Sequence, residues 1–577
     1  MRKTVASVVL AACCVLVASP RPASAAPPTF TLYGEGNGHG VGMGQYGAYG
    51  LALKGWDHNR ILARFYQGTS LGRPSFLPSQ IRVGLLQHLQ HIHVKAQGGT
   101  VYLRLGSLSG TVIARIPDGE TWMVSVAGNH QYFVRRQDGT LVGNRGYGSA
   151  SSLLFGTYQS SGASAYVTEA FHTYGRGWFE FNIYFPCSGC DHQLRLINQL
   201  GLEGYLYGLG EVPSEWPMET LKAQAIAGRS FAIARVDLFG QHRDVCNCGV
   251  YSTTRDQAYV GSDKERGQSG DRWVEAVDST ANVAVLSAGK AIPAYYGAAD
   301  AGHTEHIENV WGGSPVSYLR GVCDPGDYSP ANPYTSWTVT MSGAVVGDKL
   351  AAATGQDVGD VLSFTNAARG VSGRIISIQA NGTSGSMTVP GGTFESALGL
   401  RERVVWINEN RIITGWIRNE YDWTNCKPGL PASPGFYVSG GRYQSFQDGR
   451  IYANFAREHA YWVHGAVLTK YQGLGAHAGF LKLPVSRQFA LANGLDFRQD
   501  FQGGRIYWSS RTGAHELHGR VLSYWVSLRG NESSLGMPVT DVTTTATNQS
   551  ATFEFGTVTC NLSTGACTDT GMTPQFA

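Results

Sequence analysis

The sequence predicts an α+β protein: mainly antiparallel strands with one long Ala-rich helix, followed by a small repeat domain. Three observations carry this. The chain has 75 glycines and 11% aromatic residues, a composition of many turns and many strand formers. Residues 80–200 read as short strands, such as Gln80 to Leu86 and Trp178 to Tyr184, punctuated by Pro117-Asp118-Gly119 and Asp138-Gly139. Residues Trp216 to about Phe239 read as a helix, with Pro217 near its first turn and Ala223, Ala225, Ala227, Ala232 and Ala234 inside it.

Taken in order, the N-terminus has the form of a signal peptide. Arg2 and Lys3 precede an apolar run from Val5 to Ala18, and Ala23-Ser24-Ala25 has the small-x-small cleavage form. Cleavage there predicts a secreted protein that starts with a Pro-rich tip at 26–30 and keeps 8 of its 10 cysteines, 10 − 2 with Cys13 and Cys14 removed. An even number outside the cytosol points to disulfides, with Cys560 and Cys567 closing a small hairpin staple. Gly34, Gly36, Gly38, Gly40, Gly42 and Gly44 then alternate at period two. As an extended strand this leaves one face bare and places Glu35, Asn37, His39, Val41, Met43 and Gln45 on the other. A packing strand or a loop is the alternative, and the pattern by itself favours it. A helical pattern follows at Ala48, Leu51 and Ala52.

A breaker-rich stretch, Cys426 to Pro431, separates a second region. Phe446-Gln447-Asp448-Gly449-Arg450-Ile451-Tyr452 recurs as Phe501-Gln502-Gly503-Gly504-Arg505-Ile506-Tyr507; His464-Gly465 recurs as His518-Gly519; Leu483-Pro484-Val485 recurs as Met537-Pro538-Val539. The offsets of 55, 54 and 54 residues mark repeated supersecondary units, with 551–577 as a degenerate cap. The expected organisation is a signal peptide at 1–25, a main domain at 26–410, a linker at 411–434 and a repeat region at 435–577.

Several functions are excluded. A net charge of +3 with no Lys/Arg run argues against nucleic acid. No segment after the N-terminal run has the length and apolarity of a membrane span. P-loop and H-E-x-x-H motifs are absent.

Three glutamates crowd the start of the long helix. Glu215 and Glu219 fit the preference of acids for a helix N-terminus; Glu211, ahead of Val212-Pro213, fits it less well. Val212-Pro213, Trp216-Pro217-x-Glu219 and Leu221-Lys222-Ala223-Gln224-Ala225-x-Ala227-x-Arg229-Ser230 resemble the signature of the SpoIID/LytB family. So do Gly38-His39-Gly40-Val41-Gly42-Met43-Gly44-Gln45-Tyr46-Gly47-Ala48, Asp256-Gln257-x-Tyr259-x-Gly261, and Gly302-His303-Thr304 with Val310-Trp311-Gly312 and Tyr318-Leu319. The resemblance covers roughly residues 31–406. Here the Gly-His-Gly motif precedes the helix, as in a permuted arrangement. The repeats at 435–541 resemble LGFP repeats of bacterial envelope proteins.

The resemblance implies a peptidoglycan lytic transglycosylase, or a non-catalytic enhancer of a cell-wall amidase. Its catalytic glutamate falls on Glu211, with Glu215 as the lesser candidate. His39, Gln45, Lys222, Gln224 and Arg229 are candidates for binding sugar or orienting Glu211, with buried structural roles as the equal alternative. The implied partners are peptidoglycan glycan strands and a cell-wall amidase. The mechanism requires no cofactor. Zinc on His242, Cys246 and Cys248, by resemblance to zinc-binding members, stays open beside the favoured disulfides from these cysteines to Cys187, Cys190 or Cys323.

Overall fold

A computed structural model describes residues 27–127, 130–185, 187 and 190–571. The signal-peptide expectation for 1–25 lies outside the described residues. The architecture is mixed: mainly antiparallel sheets with twelve α-helices among the described residues.

Two sheets build the largest core. One has seven strands in the order Val250–Tyr251, Gln80–Leu89, Gln193–Gly201, Trp178–Tyr184, Leu154–Tyr158, Val101–Leu105 and Thr111–Ile116; only the first pair is parallel. The other is antiparallel throughout, in the order His172–Tyr174, Ser164–Val167, His91–Gln97, Thr121–Ala127 and Gln131–Arg135. Alternation decides which side faces in: along His91–Gln97, Ile92, Val94 and Ala96 are buried while His91, His93 and Lys95 are not.

The helix Met218–Phe239 is the longest of the twelve. Pro217 stands immediately before it, where its missing N–H costs nothing, and Gly240 ends it at φ 74°. It is buried nearly all round. Leu221, Ala225, Ala232, Ile233 and Val236 pack into the two-sheet core. Ala223, Ile226 and Ala227 pack on the other side, against Val41, Met43, Ala48 and Leu51. The small alanines are what let it lie between two cores.

Strand Thr29–Gly34 pairs with Trp337–Ser342 and Val405–Ile407 in a third core. The chain start is thereby folded onto residues 337–407, which carries 35–53 across the long helix. The glycine alternation there is not an extended strand. Residues 35–42 form an irregular turn-rich path, and only Met43–Gly44 is strand, parallel to Tyr296–Gly297. Gly40 and Gly42 show why: both have positive φ, at 65° and 76°, and a Cβ on Gly42 would stand 2.0 Å from the Tyr295 carbonyl oxygen. The glycines let the backbone thread against its neighbours. Helix Gln45–Leu53 follows.

Residues 411–434, expected as a linker, instead carry helix Gly415–Trp423 and open strand Pro431–Val438. The helix is the first of three nine-residue helices, with Gly465–Gly473 and Gly519–Ser527, and each precedes a four-stranded antiparallel sheet. The expected cap is a full third sheet, spanning Thr543 to Asp569. Cys323–Cys426 ties the first unit to the preceding domain, and Cys560–Cys567 staples the last sheet as expected. No helix among the described residues is long and apolar enough to cross a membrane.

Candidate active site

Glu211 lies in the segment between helices Leu202–Tyr207 and Met218–Phe239. Backbone and side-chain bonds pin that segment on both sides. Gly210 N–H donates to the Ala258 carbonyl at 2.8 Å, and Val260 N–H donates to Gly208 at 2.8 Å. Lys264 Nζ reaches the Val212 carbonyl at 2.5 Å, and Arg272 the Ser214 carbonyl at 2.9 Å. The Ala258 N–H then donates to the Glu211 carboxylate at 2.7 Å. Ala258 thus holds both the chain before Glu211 and the side chain itself.

Two cavities meet at Glu211. One, of about 390 Å³, is lined by Asn37, His39, Gln45, Asp256, Tyr295, Tyr296 and Trp311 among others. The second, of about 600 Å³, runs along Phe171, His172, Pro213, Glu215 and Lys264. Only Glu211 lines both. Half-exposed Trp311 and largely exposed Phe171 stand in the walls on either side, offering flat apolar faces.

Burial raises the Glu211 carboxyl above its ordinary value, and this outweighs the Ala258 N–H, the Tyr296 hydroxyl and the Gln45 amide, which pull it back down. Tyr296 is aimed by Gln257, which is fully buried. Gln257 Oε1 accepts from Tyr205 at 2.9 Å; its Nε2 donates to the Gly228 carbonyl at 3.2 Å and to the Tyr296 hydroxyl at 2.7 Å. Having accepted that bond, the Tyr296 hydroxyl turns its own proton toward Glu211.

The other predicted residues divide. Gln45 Nε2 reaches the Glu211 carbonyl oxygen at 3.5 Å and Gln224 Oε1 at 3.4 Å, so Gln45 touches Glu211 and buried Gln224 backs Gln45. His39 lines the cavity with its ring 4.9 Å from Trp311. Its Nδ1 accepts from Val41 N–H at 3.0 Å, and burial pushes its pKa down to about 4, so the ring is neutral with a proton on Nε2. Lys222 is not brought to the cavities; it pairs with Glu219 at 3.2 Å, and Glu219 in turn holds His58. Arg229 is a fully buried staple, bonded to Glu203 at 2.7 and 3.0 Å and to the Val277 and Val283 carbonyls. Glu215 is exposed and lines only the second cavity.

Cys246 and Cys248 pair with each other, and Cys187 pairs with Cys190, in place of the cross-links expected between these groups. His242 bonds Asn247 Oδ1 at 2.9 Å through Nδ1. With both sulfurs in one disulfide, this set lacks the thiolates that zinc ligation uses.

Asp256, the other carboxylate beside the first cavity, is committed to Arg235 at 2.8 Å, Arg243 at 2.9 Å and the Tyr251 N–H at 2.8 Å. Sequence reasoning marked the Asp256-Gln257-x-Tyr259 motif without giving it a role. Tyr295 and Tyr296 it missed, because two adjacent tyrosines before a glycine carry no chemical signal of their own.

Residues 190–286 match the SpoIID family model, described as stage II sporulation protein, and residues 429–479 and 482–533 match the LGFP repeat. An uncharacterized protein of Brachyspira hyodysenteriae is 34% identical over 145 residues, covering 24% of this chain and 37% of that protein. The amidase enhancer of Bacillus subtilis is 30% identical over 132 residues, covering 23% and 16%. Stage II sporulation protein D of Bacillus amyloliquefaciens is 27% identical over 140 residues, covering 23% and 40%. The match therefore spans less than half the length of each of these curated relatives. The chain carries a SpoIID domain and LGFP repeats.

Proposed function

We propose that this protein is a secreted, cell-wall-associated lytic transglycosylase that cleaves peptidoglycan glycan strands with Glu211 as acid and base, its repeats attaching it to the wall. The observation that carries the reading is the position of Glu211. It is the one carboxylate that lines both cavities, which puts it on the path of a strand bound along the two, and burial raises its pKa above the ordinary glutamate value. A strand laid along that path places a glycosidic oxygen at Glu211, which donates its proton to the leaving group. The carboxylate then takes the proton from the C6 hydroxyl of the MurNAc residue as that oxygen closes on C1, giving a 1,6-anhydro end. This route needs no second carboxylate nucleophile, in keeping with the commitment of Asp256 to two arginines. Tyr296 and Gln45 hold Glu211, and neutral His39 with Trp311 lines the wall of the first cavity.

The relative named amidase enhancer favours a second reading, a strand-binding module that stimulates a cell-wall amidase without cutting. Incubating the purified protein with intact and peptide-stripped glycan strands separates the two. Anhydro-MurNAc ends support the enzyme. Strand binding with no new ends, and faster release of stem peptides by an added amidase, supports the enhancer.

A further inference from the structure

Beneath helix Gln45–Leu53, three aspartates that line neither cavity converge from the segment after strand Tyr296–Gly297 and from the Asp324-Pro325-Gly326-Asp327 turn. Asp300, Asp324 and Asp327 are 2%, 0% and 1% exposed, and one carboxylate oxygen from each lies within 4.8 Å of the others. Part of their hydrogen-bonding capacity is met locally. Gly302 N–H donates to Asp300 Oδ1 at 3.1 Å and to Asp327 Oδ2 at 2.9 Å; Gly326 N–H donates to Asp324 Oδ1 at 2.9 Å; Asn332 Nδ2 donates to Asp327 Oδ1 at 3.1 Å. Asp300 Oδ2 and Asp324 Oδ2 are buried and take no hydrogen bond from any N–H or hydroxyl; the two carboxyls face each other.

None of the neighbouring arginines hydrogen-bonds a carboxylate oxygen of the three. Arg64 spends its donors on the Cys323 carbonyl and Asn425 Oδ1. Arg374 bonds Glu402, the His303 carbonyl and the backbone oxygen of Asp300. Arg418 pairs with Asp422 at 2.9 Å and stacks on Tyr328. Three carboxylates in so dry and crowded a place cannot all stay ionised without a counter-charge.

We propose that Asp300, Asp324 and Asp327 form a buried site for a hard divalent cation, Ca2+ in the first place. All three donors are oxygens, the ligand class of Ca2+ and Mg2+ and not of zinc. Ca2+ accepts an irregular set of carboxylate and backbone oxygens, whereas Mg2+ demands near-octahedral geometry and usually keeps several waters. Asp300 Oδ2 and Asp324 Oδ2 lie against the start of the Gln45–Leu53 helix: a Cβ on Gly44 would stand 2.8 Å from Asp300 Oδ2, and one on Gly47 1.6 Å from Asp324 Oδ2. The ion would clamp the turn at 324–327 under the helix end that presents Gln45 to Glu211.

The test is metal analysis and thermal unfolding of the full chain, neither of which depends on glycan cleavage. After dialysis against Ca2+ and removal of free ion, one Ca2+ per chain is expected. Chelation with EDTA should lower Tm by about 5–10 °C, reversed by Ca2+ at 100 times its Kd. Asp324→Asn and Asp327→Asn should lose the ion and lower Tm. The contrary account is a set of carboxylates sharing protons. It predicts no stoichiometric ion, no effect of EDTA or Ca2+ on the wild-type Tm, and an Asp324→Asn Tm that is unchanged or raised because a repulsion is removed; that outcome, or stoichiometric zinc instead, overturns the proposal. The wild-type arm stands even where a variant fails to fold.

Discussion

Arg229 separates a structural role from a substrate-binding one. Its guanidinium is fully buried, bonded to both oxygens of Glu203 and to the carbonyls of Val277 and Val283, on the face of the long helix away from Glu211. Arg229→Leu removes one partner of a largely buried pair, a change that costs about 3–5 kcal/mol. The Glu203 side chain keeps 29% exposure, so water recovers part of its solvation and the lower end, about 3–4 kcal/mol, applies. At about 2–3 °C per kcal/mol, Tm falls by about 6–12 °C. Thermal unfolding gives the shift, and KM on glycan strands, measured well below the lowered Tm, should stay within about twofold of wild type. An unchanged Tm with a KM raised tenfold would refute the staple and restore Arg229 as a sugar ligand.

Three further outcomes follow from the same geometry. Because Glu211 is raised, its acid form persists to higher pH and activity falls as pH rises through its pKa; Tyr296→Phe, which deletes a donor to the carboxylate, should move that basic limb up by as much as about one unit and lower kcat, and a limb moving down contradicts the arrangement. Gly42→Ala, at φ 76° and facing the Tyr295 carbonyl, should cost at least about 1–2 kcal/mol, read as a reduced Tm with lower activity; a neutral effect would show that the loop has slack. Cys323→Ser with Cys426→Ser opens a link between residues 103 apart and should cost about 2–4 kcal/mol, with earlier proteolysis near helix Gly415–Trp423; unaltered stability and proteolysis would mean that packing alone holds the first repeat unit.

Much of this was legible in the sequence where local rules govern. The long helix was readable because Pro217 opens it and its alanines have no competing signal; its two-sided burial was not, since an alanine says nothing about what lies against it. The glycine alternation left strand and loop open, with a packing role favoured, because period two is also the period of a strand; its cause is close approach by Arg374 and Tyr295, residues more than 250 positions away. The repeat helices were hidden for the same reason: Gly415 lacks the histidine that precedes Gly465 and Gly519, so the first unit read as a linker. At the site, Glu211 and Gln45 came from motif position, while Tyr296 and the Ala258 N–H belong to the site only through the fold. Lys222 and Arg229 share the helix with Gln224 but leave it on other faces, which spacing along a helix buried all round does not reveal.

The most direct test of the central claim is mass spectrometry of the products formed from glycan strands by wild type, Glu211→Gln and Glu215→Gln. The account predicts anhydro-MurNAc ends from wild type and from Glu215→Gln, and their loss from Glu211→Gln with strand binding retained. Ends still produced by Glu211→Gln, or lost only in Glu215→Gln, would contradict it.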